Sequence, residues 1–505
     1  MKTSETKILT AISLLGILLG FIFTRHGVMT WDSPLHIDQG RWLLSRYLGQ
    51  NWPLGDDILA WYGPLWPLLL TLFSKTVFYF LKDPAWVFHA LNFALFPITL
   101  YLVYRLLCRA GIKSSTAVLA SSLLFGCIRL GGHSLVNIKD FPAASVYLLS
   151  TLALWLHINH VSKLPPHLRF SNKNLFWGAL LATLPYLTRF PLVFHLFIWW
   201  IWRFSLERKK GILKSVFKPI FAALFWIYLL WPTMWNATPR NWMDAVKLFS
   251  QYGAHPIVRL FGLEYSADHL PFWYIPAWIP VMVTPVVLFV IIYAVFFFFL
   301  SKKRTQESKT RLRLWLLVFL LLPYLLILLR HSVIFDEERH VLFLYPIILT
   351  LTALLLDEAK EKIKMTLAVL CVMSGIWSYS TWGIYSYVYK SPIIGNISAN
   401  RFMGDYWGAC FSEFLLELPK YLPSGSRIAV RGPMDVVDIQ MKRSNLKYQF
   451  TQTSPALGEF IFTLNRTGYS DDLFEEVRTG KLKIIAQKLM PPGEPACFLA
   501  KRISL

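Results

Sequence analysis

The segment Trp31-Asp-Ser-Pro-Leu-His-Ile-Asp-Gln-Gly40 gathers Asp32, His36 and Asp38 directly after a run of apolar residues. A carboxylate fixed by a rigid anchor could take a proton from a hydroxyl, a general-base role that contributes typically about 10²–10⁴-fold. Asp32 and His36 are four apart and meet if the segment is helical, which Pro34 allows only if the helix starts near it. The plainer reading makes Asp32 the cap of that helix and leaves Asp38 solvated. A second group, His133-Ser-Leu-Val-Asn-Ile-Lys-Asp-Phe-Pro142, sets Lys139 beside Asp140. Pro142 opens the next helix, so Asp140 also suits a capping position beside a lysine for lipid headgroups. Arg189 lies between two apolar runs, and an ionisable residue there faces a cavity or an interface. Arg339 and His340 follow Asp336-Glu-Glu338 and precede another apolar run. An arginine makes paired hydrogen bonds to phosphate oxygens; it could equally snorkel to the interface or pair with Asp336.

The elements that must position these side chains are membrane helices. Of the 505 residues, 55% are hydrophobic and 16% charged, and the mean hydropathy is +0.46. A soluble domain carries about 25% charged residues, so a soluble enzyme is excluded, as is disorder. The formal net charge of +22 would suggest nucleic acid in a soluble chain. Here the basic residues stand between apolar runs and set membrane orientation instead, so no nucleic-acid partner is expected. A span needs roughly 20 apolar residues. About eleven such runs occur, near 8–24, 84–104, 116–131, 143–158, 175–188, 191–203, 219–235, 277–300, 314–329, 341–356 and 366–388. The first lacks a small-x-small cleavage site and reads as an uncleaved anchor. Segment 61–81 is apolar too, but its Gly63, Pro64, Pro67, Ser74 and Lys75 suggest an interfacial or re-entrant helix.

With the N-terminus inside, the inner loops hold 23 Lys or Arg in 72 residues and the outer ones 12 in 125. That difference follows the positive-inside rule and places the acids outside: Asp32, Asp38, Asp56, Asp57 and Asp83 in the first outer segment, Asp140 in the second, Asp336 to Glu338 in a later one. The expected architecture is an all-α polytopic membrane unit, 1–388, with outer loops 25–83 and 236–275. A soluble α/β domain, 389–505, follows on the outer side. In it, helices read at 407–420 and 470–479, and strands at 427–430, 447–452, 459–464, 482–486 and 497–501. Cys410 and Cys497 could pair there if that side is oxidising, though spacing alone does not show it. The aromatics of Gly262–Pro285 read as an interfacial belt or as the lining of a groove for a sugar face or an isoprenoid chain.

These pieces, in this order, resemble the polyprenol-phosphate-sugar-dependent membrane glycosyltransferases of the GT-C fold, and most closely bacterial relatives of the protein O-mannosyltransferases, the family 39 type. Such proteins often carry an Asp-Glu pair followed by a His in the first outer loop; here Asp32-Ser33-Pro34-Leu35-His36 has Ser33 in place of the Glu. Further likenesses are Tyr62-Gly-Pro-Leu-Trp-Pro67, Asn137-Ile-Lys-Asp-Phe-Pro142, Thr188-Arg-Phe190, the stretch from Leu270-Pro-Phe-Trp-Tyr274 to Thr284-Pro285, Arg339-His340 and Asp405-Tyr-Trp-Gly408. They cover most of residues 25–410, and the tail beyond resembles nothing nameable.

The resemblance implies an enzyme of the bacterial inner or plasma membrane that moves a hexose, mannose for example, from a polyprenyl-phosphate donor to a hydroxyl. The acceptor would be a glycan, lipid or protein on the outer face. By position, Asp32 would be the catalytic base, Asp140 and Lys139 the second acidic site, and Arg339, His340 and Arg189 the candidates for the donor phosphate. His36 and Asp38 would support the acceptor side. Some members need a divalent cation, Mg or Mn, and others do not; Asp32 with Asp140 could hold one. Two rival readings are a polytopic transporter, against which the absence of an inverted repeat counts, and a polymerase or ligase using a polyprenyl-pyrophosphate donor.

Overall fold

A computed structural model describes residues 3–24, 29–50, 52–54, 57–81, 83–169, 171–207, 212–250, 256–301, 306–395, 401–452, 459–466, 469–491 and 493–503. Asp56 lies outside them. Every expected apolar run contains helix, though not every run is one unbroken helix. Among the described residues, four helices are long and apolar enough to cross a membrane alone: Pro84–Arg109, Asp140–Lys163, Glu307–Leu329 and the stretch Glu361–Val388. A fifth crossing is possible if Ser114–Phe125 and Ile128–Val136, bent by 61° at their junction, act as one span. Shorter apolar helices include Lys7–Phe23, Val216–Leu230, Pro285–Leu300 and Leu344–Leu355.

Local chemistry explains the ends. Asp83 accepts hydrogen bonds from the amides of Ala85 and Trp86, and Pro84 at the first position lacks only an N–H the helix does not use. Thr284 caps Pro285–Leu300 in the same way, accepting from Val287 N. That cap corrects the expected span 277–300: residues 274–282 form two short helical turns, and the long helix starts at Pro285. The expected 219–235 run likewise ends its helix at Leu230, before a 3-10 turn over Pro232–Trp235. Helix Leu65–Lys75, at 11 residues, is roughly 16 Å long, about half the hydrocarbon core, which agrees with an interfacial segment.

The apolar stretches of helices Pro84–Arg109 and Asp140–Lys163 are more than half buried, while those of Glu307–Leu329 and Glu361–Val388 are buried over only about a third of their residues. Phe296 and Phe299 also stand open. Contiguous apolar surface of this kind suits lipid.

The C-terminal part is α/β. Strands β1 (Ile257–Leu260) and β2 (Leu263–Ser266) form a hairpin of their own in the 236–275 loop. The main sheet contains β3 (Arg427–Arg431), β4 (Gln449–Thr451), β5 (Phe460–Leu464), β6 (Leu482–Met490) and β7 (Glu494–Arg502), in the order β4-β3-β5-β7-β6. β3 runs parallel to β4 and β5; β7 is antiparallel to β5 and β6. Helices Ala409–Glu417, Met434–Ser444 and Asp471–Arg478 accompany it. The middle one is not among the expected elements. Cys410 and Cys497 do pair, fastening Ala409–Glu417 to β7. This part is tied to the chain just before helix Ser33–Tyr47: Trp31 N donates to Trp407 O at 3.0 Å and Met29 N to Ser412 Oγ at 2.9 Å, while Lys390 pairs with Glu494 at 3.0 Å within the C-terminal part itself.

Candidate functional site

Asp32 stands at the N-cap position of helix Ser33–Tyr47, yet its side chain makes no capping bond. Ser33, the residue in the Glu position, holds the turn instead. Its Oγ accepts from Thr30 N at 3.0 Å and lies 2.9 Å from His89 Nε2. The Asp32 carboxylate is thereby left for other partners. Lys139 Nζ reaches its Oδ2 at 2.9 Å, and Arg339 Nη1 lies 3.6 Å from the same oxygen. Burial raises the carboxyl's pKa, but Lys139 and Arg339 together outweigh it and hold Asp32 well below the usual carboxylate range.

Lys139 and Asp140 are aimed by Asn137. The Asn137 Oδ1 accepts from the amides of Lys139 (3.1 Å) and Asp140 (2.8 Å), so the asparagine does the capping. Asp140, fully buried, ion-pairs with Arg189 and accepts from Asn137 Nδ2 at 3.1 Å. Arg189 leaves helix Asn172–Thr188 at its C-cap. Gly63 lies so close to it that a Cβ there would come within 2.1 Å of the Thr188 carbonyl carbon. Only glycine permits that approach, and it sets the Tyr62 ring 5.0 Å from Lys139 Nζ.

Arg339 is presented by a backbone in which Asp336 and Glu337 both have positive φ, 53° and 64°. For non-glycine residues this costs on the order of 1–3 kcal/mol each. Arg129 offsets it by pairing with Glu337 and Glu338, and Met403 N donates to Glu337 Oε1 at 3.0 Å. Arg339 Nη2 holds Asp336 Oδ2 at 2.8 Å, and Arg466 Nη2 holds Asp336 Oδ1 at 2.6 Å. The Arg339 guanidinium lies 4.9 Å from the Trp407 ring centre and 5.0 Å from that of Phe335.

Lys139, Asp32, Arg339, Asp336 and Arg466 therefore form one chain of alternating charge, with cations at both ends and in the middle. The chain has spare positive charge for an anion and a carboxylate to receive a proton. His340 packs on Phe335; burial, then the charges of Arg339, Arg189 and Lys139, push its pKa well down, so it offers a hydrogen bond rather than a cation. His36 is buried with Nδ1 2.8 Å from Gln39 Oε1, and Gln39 Nε2 in turn donates to the carbonyls of Leu59 and Tyr62. Asp38 is half-exposed and pairs with Arg41 at 3.1 Å, apart from the charged chain. Among the described residues, no three or more His, Cys, Asp or Glu side chains converge to hold a metal. Asp32 and Asp140 each face Lys or Arg, a donor set that does not fit a divalent cation.

Sequence reasoning passes over Arg466, Trp31 and Arg129. Arg129 carries a signal, a lone charge inside an apolar run; Arg466, in a polar domain, carries none.

No protein-family model matches the chain, and no curated protein matches it. Among solved structures it is similar to ArnT from Cupriavidus metallidurans bound to undecaprenyl phosphate, with 10% identity and a TM-score of 0.47 over 99% of this chain and 98% of that one.

Proposed function

We propose that the chain is an integral membrane glycosyltransferase that moves a sugar from a polyprenyl-phosphate donor to an acceptor hydroxyl at the outer face of the membrane. In this reading about eleven spans cross the bilayer, the N-terminus is inside, and the C-terminal domain is outside. The observation that carries it is Asp32 held between Lys139 and Arg339. The sequence motifs of the GT-C transferases fall on these same residues. The Cys410–Cys497 disulfide suits an oxidising outer compartment. A cavity of about 210 Å³ with Leu270, Phe272 and Ile327 on its wall, and Asp268, His331 and Ser332 beside them, offers an apolar side for part of an isoprenoid chain.

The chemistry follows from ion-pair exchange. In the resting site the two cations keep Asp32 too acidic to be a good base. A donor phosphate offers them a stronger partner. As Lys139 and Arg339 turn to it, the lowering of Asp32 is relieved and the carboxylate becomes basic where the acceptor hydroxyl arrives. The hydroxyl oxygen attacks the anomeric carbon, Asp32 takes its proton, and the bond to the phosphate oxygen breaks with inversion. The phosphate leaves as an anion that Lys139 and Arg339 stabilise, so no strong general acid is needed. Arg189 and Asp140 brace the Lys139 turn. No step runs through a divalent cation.

The test is Asp32→Asn in proteoliposomes given a labelled polyprenyl-phosphate hexose. The variant should insert and purify like wild type and transfer no sugar. Turnover near wild type would remove Asp32 from the mechanism, and with it this function.

A further inference from the structure

The C-terminal domain contributes a side chain to the charged chain. Arg466 follows β5, and its backbone is pinned by the turn that carries Trp407. Gly404 bridges to Arg466, and a Cβ at Gly404 would meet Asn465 O at 2.1 Å. Gly404 has φ +78, so glycine is required twice over. Asp405 then caps helix Ala409–Glu417, accepting from Ala409 N and Cys410 N. The Arg466 guanidinium reaches out of this turn to lie 4.9 Å from the Trp31 ring centre and 5.4 Å from that of Tyr469. Trp31 is the residue before Asp32.

Asp336 is divided between two arginines, one oxygen to Arg339 and one to Arg466. Two oxygens gripped by two guanidinium groups is also how a phosphate is held. Asp336 takes that place from a left-handed backbone, so its carboxylate is set there at a cost. The cluster keeps donors in reserve: Nε of Arg339, Nε of Arg466 and Nε1 of Trp407 are buried and, among the described residues, have no hydrogen-bond partner. Trp407 itself is 2% exposed. One carboxylate does not use the donors of two arginines.

We propose that Arg339 and Arg466 form a two-arginine phosphate clamp, with Asp336 as its displaceable internal counter-ion and Arg466 supplied by the C-terminal domain. The ligand class is a phosphate group, free or on a lipid; in the transferase reading it is the diester of the sugar donor and the monoester left when the sugar departs. This inference rests on the transferase reading for the identity of its ligand, the donor. The C-terminal domain thereby completes the donor site, so donor binding and domain docking share one arginine.

The experiment uses the full chain in nanodiscs and reads binding by tryptophan fluorescence, with polyprenyl monophosphate, the matching polyprenol and inorganic phosphate as probes. Loss of one charged hydrogen-bonding partner in Arg466→Gln should weaken the monophosphate by roughly 10–100-fold. It should leave the alcohol unchanged. Arg466→Lys should fall between. Asp336→Asn should bind the monophosphate more tightly than wild type, because its competitor is gone. Inorganic phosphate should compete, but only at far higher concentration; equal affinity for it would overturn the lipid-borne source. If Arg466→Gln binds the monophosphate like wild type, or if both substitutions merely lower the melting temperature without changing affinity, Arg466 is an interdomain strut and the clamp is wrong. Arg466-dependent binding without any sugar transfer would instead sink the transferase reading and leave the clamp standing.

Discussion

Lys139 Nζ lies 2.9 Å from Asp32 Oδ2, although 107 positions separate the two residues along the chain. Lys139 is the largest of the charges that draw the Asp32 pKa down against burial. Removing it must therefore raise that pKa. Asp32 works as a base only when ionised, so in Lys139→Met the acid limb of the kcat/KM profile should move to higher pH. In the proposed transfer this cation also stabilises the leaving phosphate, so kcat should fall by roughly 10²–10³-fold even on the plateau. A pH–rate series on the two proteins checks both. An unmoved acid limb would mean that Lys139 does not set the base.

His36 makes a second, independent claim about pH. Burial, with help from Lys139, lowers its pKa to about 4, against about 6.5 in an unfolded chain. Between those values the unfolded chain binds a proton that the folded one refuses. Stability therefore rises with pH across that window. The contribution is full above about pH 6.5 and gone below about pH 4, and is worth on the order of 3 kcal/mol. Replacement by Gln, which keeps a hydrogen bond to Gln39 and cannot titrate, should make the rise of the melting temperature between pH 4 and 6.5 shallower, the remainder coming from other buried histidines such as His340. A variant with the same pH slope as wild type would show that His36 is not the titrating group.

How much of this is legible in the sequence depends on contrast. A charge at the end of an apolar run stands out, so Asp32, Lys139, Asp140, Arg189 and Arg339 can be picked out, and the structure brings them into two linked ion-paired groups. Asp38 has the same sequence contrast, but it lies on the outer face of its helix and pairs with Arg41. Arg466 has no contrast, one arginine in a polar domain. Which arginine the fold carries back to Trp31 depends on tertiary packing alone. The break before Pro285 is written as Thr284-Pro285, a cap and a first-turn proline, inside a run whose hydropathy hides it. Helix Met434–Ser444 escapes because its apolar residues Val437, Ile439 and Met441 alternate as in a strand, while one of the positions it buries, Gln440, is polar. The hairpin β1–β2 is masked by the aromatic residues around it.

The buried pair Asp140–Arg189 yields a test that does not depend on turnover. Asp140 has no exposed side-chain surface and Arg189 little. Removing one partner of such a pair leaves a buried charge without compensation, which costs about 3–5 kcal/mol. Arg189→Met should therefore destabilise the protein strongly in denaturant or thermal unfolding. The double variant Arg189→Met with Asp140→Asn should recover much of the loss, because the amide can still bond to Asn137 and carries no charge to strand. If the double variant is no more stable than the single one, the two residues do not act as a pair. If the double variant recovers stability but not transfer, the pair also orients the neighbouring Lys139. That orientation would have a route through the structure, since Asn137 caps the turn holding both residues.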